Sequence, residues 1–200
     1  MNTFDAERHE FKKDGERVLS ITQVLALAGI CDWSFVAEDV RVHAMNRGKS
    51  VHWMLQLEDE GGLNYRTVPV ALRGYRKAYK VWKANSGFIP LVIEKWIISD
   101  LGFGGIPDRY GTVTALFNCQ VPAMVELKTG AVADWTRLQM AAQAVLIQPN
   151  ISLARTIRRI GLSLRPDGTY SVKEFPLSTF DSDISTFMKA LEDAKNARGN

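Results

Sequence analysis

Apolar positions recur along this 200-residue chain in two rhythms, one of three to four residues and one of two. The helical rhythm is clearest over Val70 to Ser86, where Tyr75, Tyr79 and Trp82 stand at i, i+4 and i+7 and mark a buried stripe that ends at Gly87. Ser20-Ile21-Thr22-Gln23 forms a capping box, which predicts a helix with Val24, Leu25, Leu27 and Ala28 in the core and a stop at Gly29. Trp33 to Met45 predicts another helix. Gly48 then precedes a further one over Lys49 to Asp59, with Val51, Leu55 and Glu58 spaced by turns. Asp134 or Thr136 is expected to cap a helix running to about Gln148, packed through Leu138, Ala141, Ala142, Val145 and Leu146. Asp181 or Asp183 starts a last helix, with Ile184, Phe187, Met188 and Leu191 inward and a fraying end at Arg198-Gly199-Asn200.

The rhythm of two predicts strands. His9 to Arg17 reads as a short hairpin turning at Asp14-Gly15. Leu91 to Ser99 is an apolar strand carrying Glu94. Gly105-Ile106-Pro107-Asp108 closes a strand in a carboxylate, and the chain is expected to turn at Tyr110-Gly111. Thr112 to Phe117 then run outward, Asn118 to Pro122 turn, and Ala123 to Lys128 return. Ser152 to Leu164 and Thr169 to Phe175 read as two strands around the turn Arg165-Pro166-Asp167-Gly168. Periodicity by itself supports a mixed α/β chain.

Composition narrows the class. A hydrophobic content of 46% and a charged content of 24% are those of an ordinary globular protein, and the length suits one domain spanning 1–200. Its parts would be a helical N-terminal region over 1–90, a sheet with its helix over 91–175 and a C-terminal helix over 181–198. A net charge of +3 does not by itself imply a nucleic-acid partner, so any basic surface must come from local clustering. Cys31 and Cys119 have no metal-ligand spacing, and the absence of a disulfide framework favours a cytoplasmic location. The polar, mixed-charge N-terminus does not read as a signal peptide, and no apolar run approaches a membrane span, so no membrane partner is expected.

The candidate chemistry gathers in Leu101 to Gly130. Strand alternation puts Glu126 and Lys128 on one face and Val125 and Leu127 on the other, which can pack on a core. Asp108 closes an earlier strand of the same meander and can reach the first face. Two acids and a lysine converging at a sheet end make a site for a hard divalent cation. A second cluster lies on the helix over 70–86, where Arg73, Arg76, Lys77, Lys80 and Lys83 crowd the remaining circumference with no acid between them. That face is either a phosphate-binding surface or a solvated one. Arg155, Arg158 and Arg159 could add phosphate contacts or keep an edge strand soluble. Gln139 and Gln143, one turn apart, share a helix face.

Pro107-Asp108 followed by Glu126-Leu127-Lys128 resembles the PD-(D/E)xK nuclease superfamily, and Thr129-Gly130 with the helix after it resembles its RecB-like and phage exonuclease branch. Gly48-Lys49-Ser50-Val51-His52 matches that branch's Gly-x-x-x-His helix, which implies a metal-ligating His52. Gln139 matches the glutamine of its Gln-x-x-x-Tyr motif, while Gln143 stands where tyrosine is expected. Glu94 matches a glutamate on the strand before the Asp strand, implying a carboxylate behind the ligands or on a second ion. Its own surroundings in sequence equally allow Glu94 to be half of a salt bridge with Lys95 or another basic neighbour. The fold implied is a restriction-endonuclease-like core, a central mixed sheet flanked by helices, with an N-terminal helical elaboration.

The resemblance further implies that Asp108, Glu126, the Leu127 carbonyl and His52 hold Mg²⁺ or Mn²⁺. Lys128 would hold or deprotonate the attacking water and offset charge on the phosphorus, and Gln139 would orient Lys128, water or substrate. Arg73, Arg76, Lys77, Lys80 and Gln143 are the expected DNA contacts. The products would be a 5′-phosphate and a 3′-hydroxyl. Three activities fit: an exonuclease of phage recombination or replication type, a structure-specific or nicking endonuclease, and a catalytically silent DNA-binding or assembly subunit. DNA is the expected partner, with a homo-oligomer or a recombination partner protein also compatible, and a phage-encoded chain would act in the host cytoplasm.

Overall fold

The computed structural model describes residues 1–31 and 36–197. The expected helix start at Trp33 and the fraying end at Arg198 to Asn200 lie outside the described residues. In chain order the elements are strands β1 (Thr3–Asp5), β2 (Glu10–Lys13) and β3 (Glu16–Ser20), then helices α1 (Ile21–Leu27), α2 (Glu38–Asp59) and α3 (Val70–Ser86). Strands β4 (Ile89–Ile93), β5 (Ile97–Ile98), β6 (Phe103–Gly105), β7 (Arg109–Thr114) and β8 (Gln120–Lys128) follow. The chain continues through α4 (Thr136–Ile147), α5 (Ile151–Ala154), β9 (Arg158–Leu164), β10 (Tyr170–Phe175) and α6 (Phe180–Asn196).

The larger sheet has the order β10-β9-β8-β7-β4. The pairs β4–β7, β7–β8 and β9–β10 are antiparallel, whereas β8 and β9 are parallel and joined over the face by α4. One face of this sheet packs on α2 and α3 through Ala123, Val125 and Leu127, against Val51, Leu55, Tyr75, Tyr79 and Trp82. The other packs on α1, α4 and α6, with Met124 against a core that includes Leu138, Ala142, Phe187 and Leu191. This is the mixed sheet flanked by helices that the sequence led us to expect. Among the described residues, no helix is long and apolar enough to cross a membrane.

The N-terminal part carries the expected helices and, in addition, strands. The hairpin over β2 and β3 turns at Asp14-Gly15 as predicted, and β1 extends it. A second sheet of order β1-β2-β3-β6-β5 results, with β3 parallel to β6. The capping box is present, with Ser20 Oγ accepting from the Gln23 amide and Gln23 Oε1 from the Ser20 amide.

Several boundaries differ from expectation, each for a physical reason. The two helices expected on either side of Gly48 are one 22-residue helix, α2, which absorbs the modest cost of an interior glycine. The strand expected over Leu91 to Ser99 is two strands in two sheets, broken at Glu94, whose φ is +45°. Tyr110-Gly111 is no turn but the middle of β7. Glycine is required there because a Cβ would stand 2.0 Å from the Ile89 carbonyl oxygen of β4. Neither Asp134 nor Thr136 caps α4, whose cap is Trp135, and Asp134 pairs with Lys173 instead. The first half of the strand expected from Ser152 is the short α5.

The arginines of that region also have other roles than expected. β9 is an interior strand, and its Arg159 is fully buried, donating to Asp183 Oδ2 at 2.6 Å, Thr179 Oγ1 at 2.9 Å and the Pro176 carbonyl at 2.9 Å. Arg158 forms a bidentate pair with Glu174, and Arg155 pairs with Asp181. Arg159 is a structural anchor, unavailable to phosphate.

Candidate metal centre

The site forms where the chain changes sheets. β4 and β7 pair in the larger sheet, and β5 and β6 pair in the smaller one. The chain therefore bends twice, once at Glu94 and once at Ile106 to Asp108, and the two bends lie side by side. The Glu94 amide donates to the Asp108 carbonyl at 3.2 Å, bridging them. Each bend delivers a carboxylate to one spot, at the end of the sheet where β7 begins and β8 finishes.

α2 adds an imidazole to this spot. His52 sits three residues from Leu55 and one from Val51, whose burial against the sheet fixes the helix rotation. Its Nδ1 lies 3.2 Å from Glu94 Oε1 and 3.5 Å from Asp108 Oδ1, and its Nε2 lies 3.1 Å from the Leu127 carbonyl oxygen. One atom each from His52, Glu94 and Asp108 falls within 4.8 Å of the others. Asp108 is held in turn by the Leu127 amide, which donates to its Oδ2 at 2.7 Å.

Glu126 approaches from the α4 side. Its Oε1 accepts from Lys128 Nζ at 2.8 Å and from Gln139 Nε2 at 2.7 Å, and its Oε2 accepts from Gln143 Nε2 at 3.0 Å. The helix-face pairing of the two glutamines thus converges on one carboxylate, and Gln143 serves as a second amide donor where tyrosine was expected. Lys128 Nζ also lies 5.7 Å from the centre of the Trp135 ring.

Charge crowding sets the protonation. At ~4 Å, two like charges repel by about 4 kcal/mol at an effective dielectric of 20, so three carboxylates here need compensation. Burial and the neighbouring Glu126 push Asp108 up to about 7, opposed by His52 and Lys128. Burial works to lower His52, but Asp108, Glu94 and Glu126 outweigh it and raise the imidazole to about 9. At neutral pH both ring nitrogens therefore carry protons, and they donate to Glu94 and to the Leu127 carbonyl. Burial opposes ionisation of Glu126, yet Lys128, Gln143 and His52 hold it below the usual carboxylate range. Burial likewise opposes charge on Lys128, and Glu126 and Asp108 overcome it, so its pKa is raised. The raised pKa favours the charged form of Lys128 in this arrangement.

A fourth layer fixes Glu94. Arg109, the first residue of β7, is fully buried. It donates from Nη1 to Glu94 Oε1 at 3.0 Å and to the Asp108 carbonyl at 2.6 Å, and from Nε to Asp59 Oδ2 at 2.8 Å. Asp59 lies two turns beyond His52 on α2 and also accepts from Tyr79 Oη and Lys83 Nζ, both at 2.7 Å. Sequence reasoning missed Arg109 and Asp59, since their pairing spans fifty residues and no local pattern marks it.

The donor set fits a hard divalent cation. Carboxylate oxygens of Glu94 and Asp108, the Leu127 carbonyl and one imidazole nitrogen suit Mg²⁺ or Mn²⁺ far better than a thiophilic metal. Glu94, expected behind the ligands or on a second ion, brings an oxygen within 4.8 Å of those of His52 and Asp108, while the Glu126 oxygens accept from Lys128 and the two glutamines.

The basic helix lies elsewhere. Arg76 makes a bidentate pair with Glu58 at 2.6 and 3.0 Å, Lys80 lies 3.7 Å from the same carboxylate, and Lys83 is bound to Asp59. Arg73 donates to the Val68 carbonyl at 3.1 Å, and Lys77 is exposed. Counter-charges from α2 thus face a surface that carries no acid of its own.

No protein-family model matches this chain, and no curated protein matches it. Among solved structures it is similar to an alkaline exonuclease from Laribacter hongkongensis, LHK-Exo, at 15% identity and a TM-score of 0.29, over 92% of this chain and 95% of that one. It is also similar to LHK-Exo in complex with dAMP, at 16% identity and a TM-score of 0.28 over the same shares. Likeness at this level carries no argument about activity, which must come from the side chains.

Proposed function

We propose that this chain is a divalent-metal-dependent nuclease that hydrolyses DNA phosphodiester bonds, acting as an exonuclease. The observation that carries the reading is the meeting of His52, Glu94 and Asp108 within 4.8 Å, beside the Glu126–Lys128 pair at the same sheet end. A structural role does not call for such crowding, because three buried or half-buried carboxylates repel one another and force Asp108 to a raised pKa.

In this reading His52, Glu94, Asp108 and the Leu127 carbonyl hold Mg²⁺ or Mn²⁺. Such an ion, when bound, polarises a phosphodiester oxygen and lowers the pKa of water. Lys128 holds the water and offsets negative charge gathering on the phosphate, as a fixed cation. Glu126 aims Lys128, and Gln139 and Gln143 aim Glu126. The arrangement leaves little rotamer freedom in the lysine, which is what a charge placed for a transition state requires.

The test is degradation of linear against covalently closed DNA, each with Mg²⁺ and with EDTA. Loss of linear DNA in Mg²⁺, with closed circles intact and EDTA arresting the reaction, is the expected result. Cutting of closed circles would make the chain an endonuclease, and inertness on both substrates would favour a silent DNA-binding subunit.

A further inference from the structure

One face of α2 carries a stripe that the core does not use and that only His52 shares with the metal cluster. Lys49, His52, Trp53 and Gln56 stand at i, i+3, i+4 and i+7, so they form a single ridge. Val51, Met54 and Leu55, between them in sequence, are buried on the opposite side. Together with Gly48 and Glu94 the ridge lines an open cleft of about 360 Å³. Two of its walls, His52 and Glu94, are members of the metal cluster, so the cleft opens directly from the reacting centre.

Trp53 is the anomaly in this cleft. It is 66% exposed, although tryptophan is the largest apolar side chain and its neighbours on α2 find a core. Exposure of a single apolar residue is ordinary. Exposure of an indole in a cleft that runs into a carboxylate–imidazole cluster, with an exposed lysine one turn before it, is a specific combination. An aromatic face beside a cation suits a nucleotide, the base stacking on the ring and the phosphate meeting the ammonium.

We infer that Trp53, with Lys49, forms a stacking subsite for a base of the single-stranded end that leads to the scissile phosphate. The inference rests on the nuclease reading and extends it. Stacking tolerates every base, so the subsite would select unpaired strand over duplex without selecting sequence. Gln56, whose Nε2 is engaged with Glu60 Oε1 at 3.0 Å, closes the far side of the ridge. A duplex end would have to release its terminal base to use the cleft.

The experiment is a binding cycle in the full-length Lys128→Ala protein with Mg²⁺, where on the proposed mechanism DNA is held but not cut. A labelled single-stranded oligothymidylate is the probe, and a single abasic nucleotide is moved along it. Trp53→Ala should weaken binding roughly tenfold or more, and Trp53→Phe should retain most of it. At one position, the abasic nucleotide should weaken binding to the Trp53 protein by a similar factor and leave Trp53→Ala unaffected. Equal binding by Trp53→Ala and its parent would overturn the subsite while leaving the nuclease reading in place. So would a loss in Trp53→Ala that is the same for every abasic position, since that would mean packing rather than stacking. If the parent binds no oligonucleotide at all, or still cuts it, the underlying reading falls as well.

Discussion

Arg109 Nη1 stands 3.0 Å from Glu94 Oε1, inside a protein interior that leaves the arginine no exposure at all. The same guanidinium reaches Asp59 at the end of α2, the helix that also presents His52. One buried cation thereby ties two members of the metal cluster to a common frame, and Tyr79 and Lys83 extend that frame to α3. The cluster's geometry is consequently a property of how α2 and α3 pack on the sheet.

Glu94→Gln keeps the side-chain shape and removes its charge. It should weaken Mn²⁺ binding by roughly tenfold or more, and Arg109→Lys should weaken it by roughly 10- to 100-fold through misplacement of Glu94. Calorimetric titration of each variant, with the double variant no weaker than Glu94→Gln alone, would establish that Arg109 acts through Glu94. Additive losses would assign Arg109 to general stability.

The pH dependence follows from two raised groups. His52, raised to about 9, contributes stability that is complete below its unfolded value near 6.5 and is lost as pH rises through 9. Asp108, raised to about 7, adds a cost that grows from about pH 4 and is complete above 7. In EDTA the melting temperature should therefore fall from pH 6.5 to 9. Added Mg²⁺ or Mn²⁺ should restore progressively more over the same range, because ligation requires His52 to lose its proton. Thermal melts at stepped pH decide this, and a melting temperature flat across the range would contradict it.

On α3 the structure separates residues that look alike in sequence. Arg76, bound to Glu58 and 4.7 Å above the Tyr65 ring, should behave structurally. Arg76→Ala is expected to cost about 1–3 kcal/mol of stability and to leave the salt dependence of DNA binding unchanged. Neutralising Arg73, Lys77 and Lys80 together should reduce the slope of log affinity against log salt by up to roughly one for each phosphate no longer neutralised. Denaturant melts and binding at several salt concentrations distinguish the two groups, and an unchanged slope in the triple variant would make this face a solvated one.

How much could be read beforehand depended on how local the signal was. Glu126 and Lys128 share a face because strand alternation needs no distant information, and the Gln139–Gln143 pair follows from one helical turn. The capping box at Ser20 and the stripe Tyr75–Tyr79–Trp82 were legible for the same reason. His52 was legible through its spacing from Gly48, although that glycine lies inside a continuous helix and does not open one. Glu94 and Asp108 were placed on strands, when in fact they occupy the paired bends where the chain passes between sheets. No alternation reports such a bend, which is imposed by the second sheet. Arg109–Asp59, Arg76–Glu58 and Arg159–Asp183 are pairings of distant segments, so Arg76 and Arg159 read as free charge and Arg109 drew no notice until the fold supplied their carboxylates.

The most direct measurement sets metal binding beside cleavage in Asp108→Asn and Lys128→Ala. Asp108 lies among the proposed ligands, so its loss should weaken calorimetric Mg²⁺ or Mn²⁺ binding and abolish turnover together. Lys128 lies outside them and adds positive charge, so Lys128→Ala should bind the ion as well as or better than the unaltered chain and still fail to cut DNA. A Lys128→Ala protein that cleaves at nearly the unaltered rate, or an Asp108→Asn protein with undiminished metal affinity, would contradict the account.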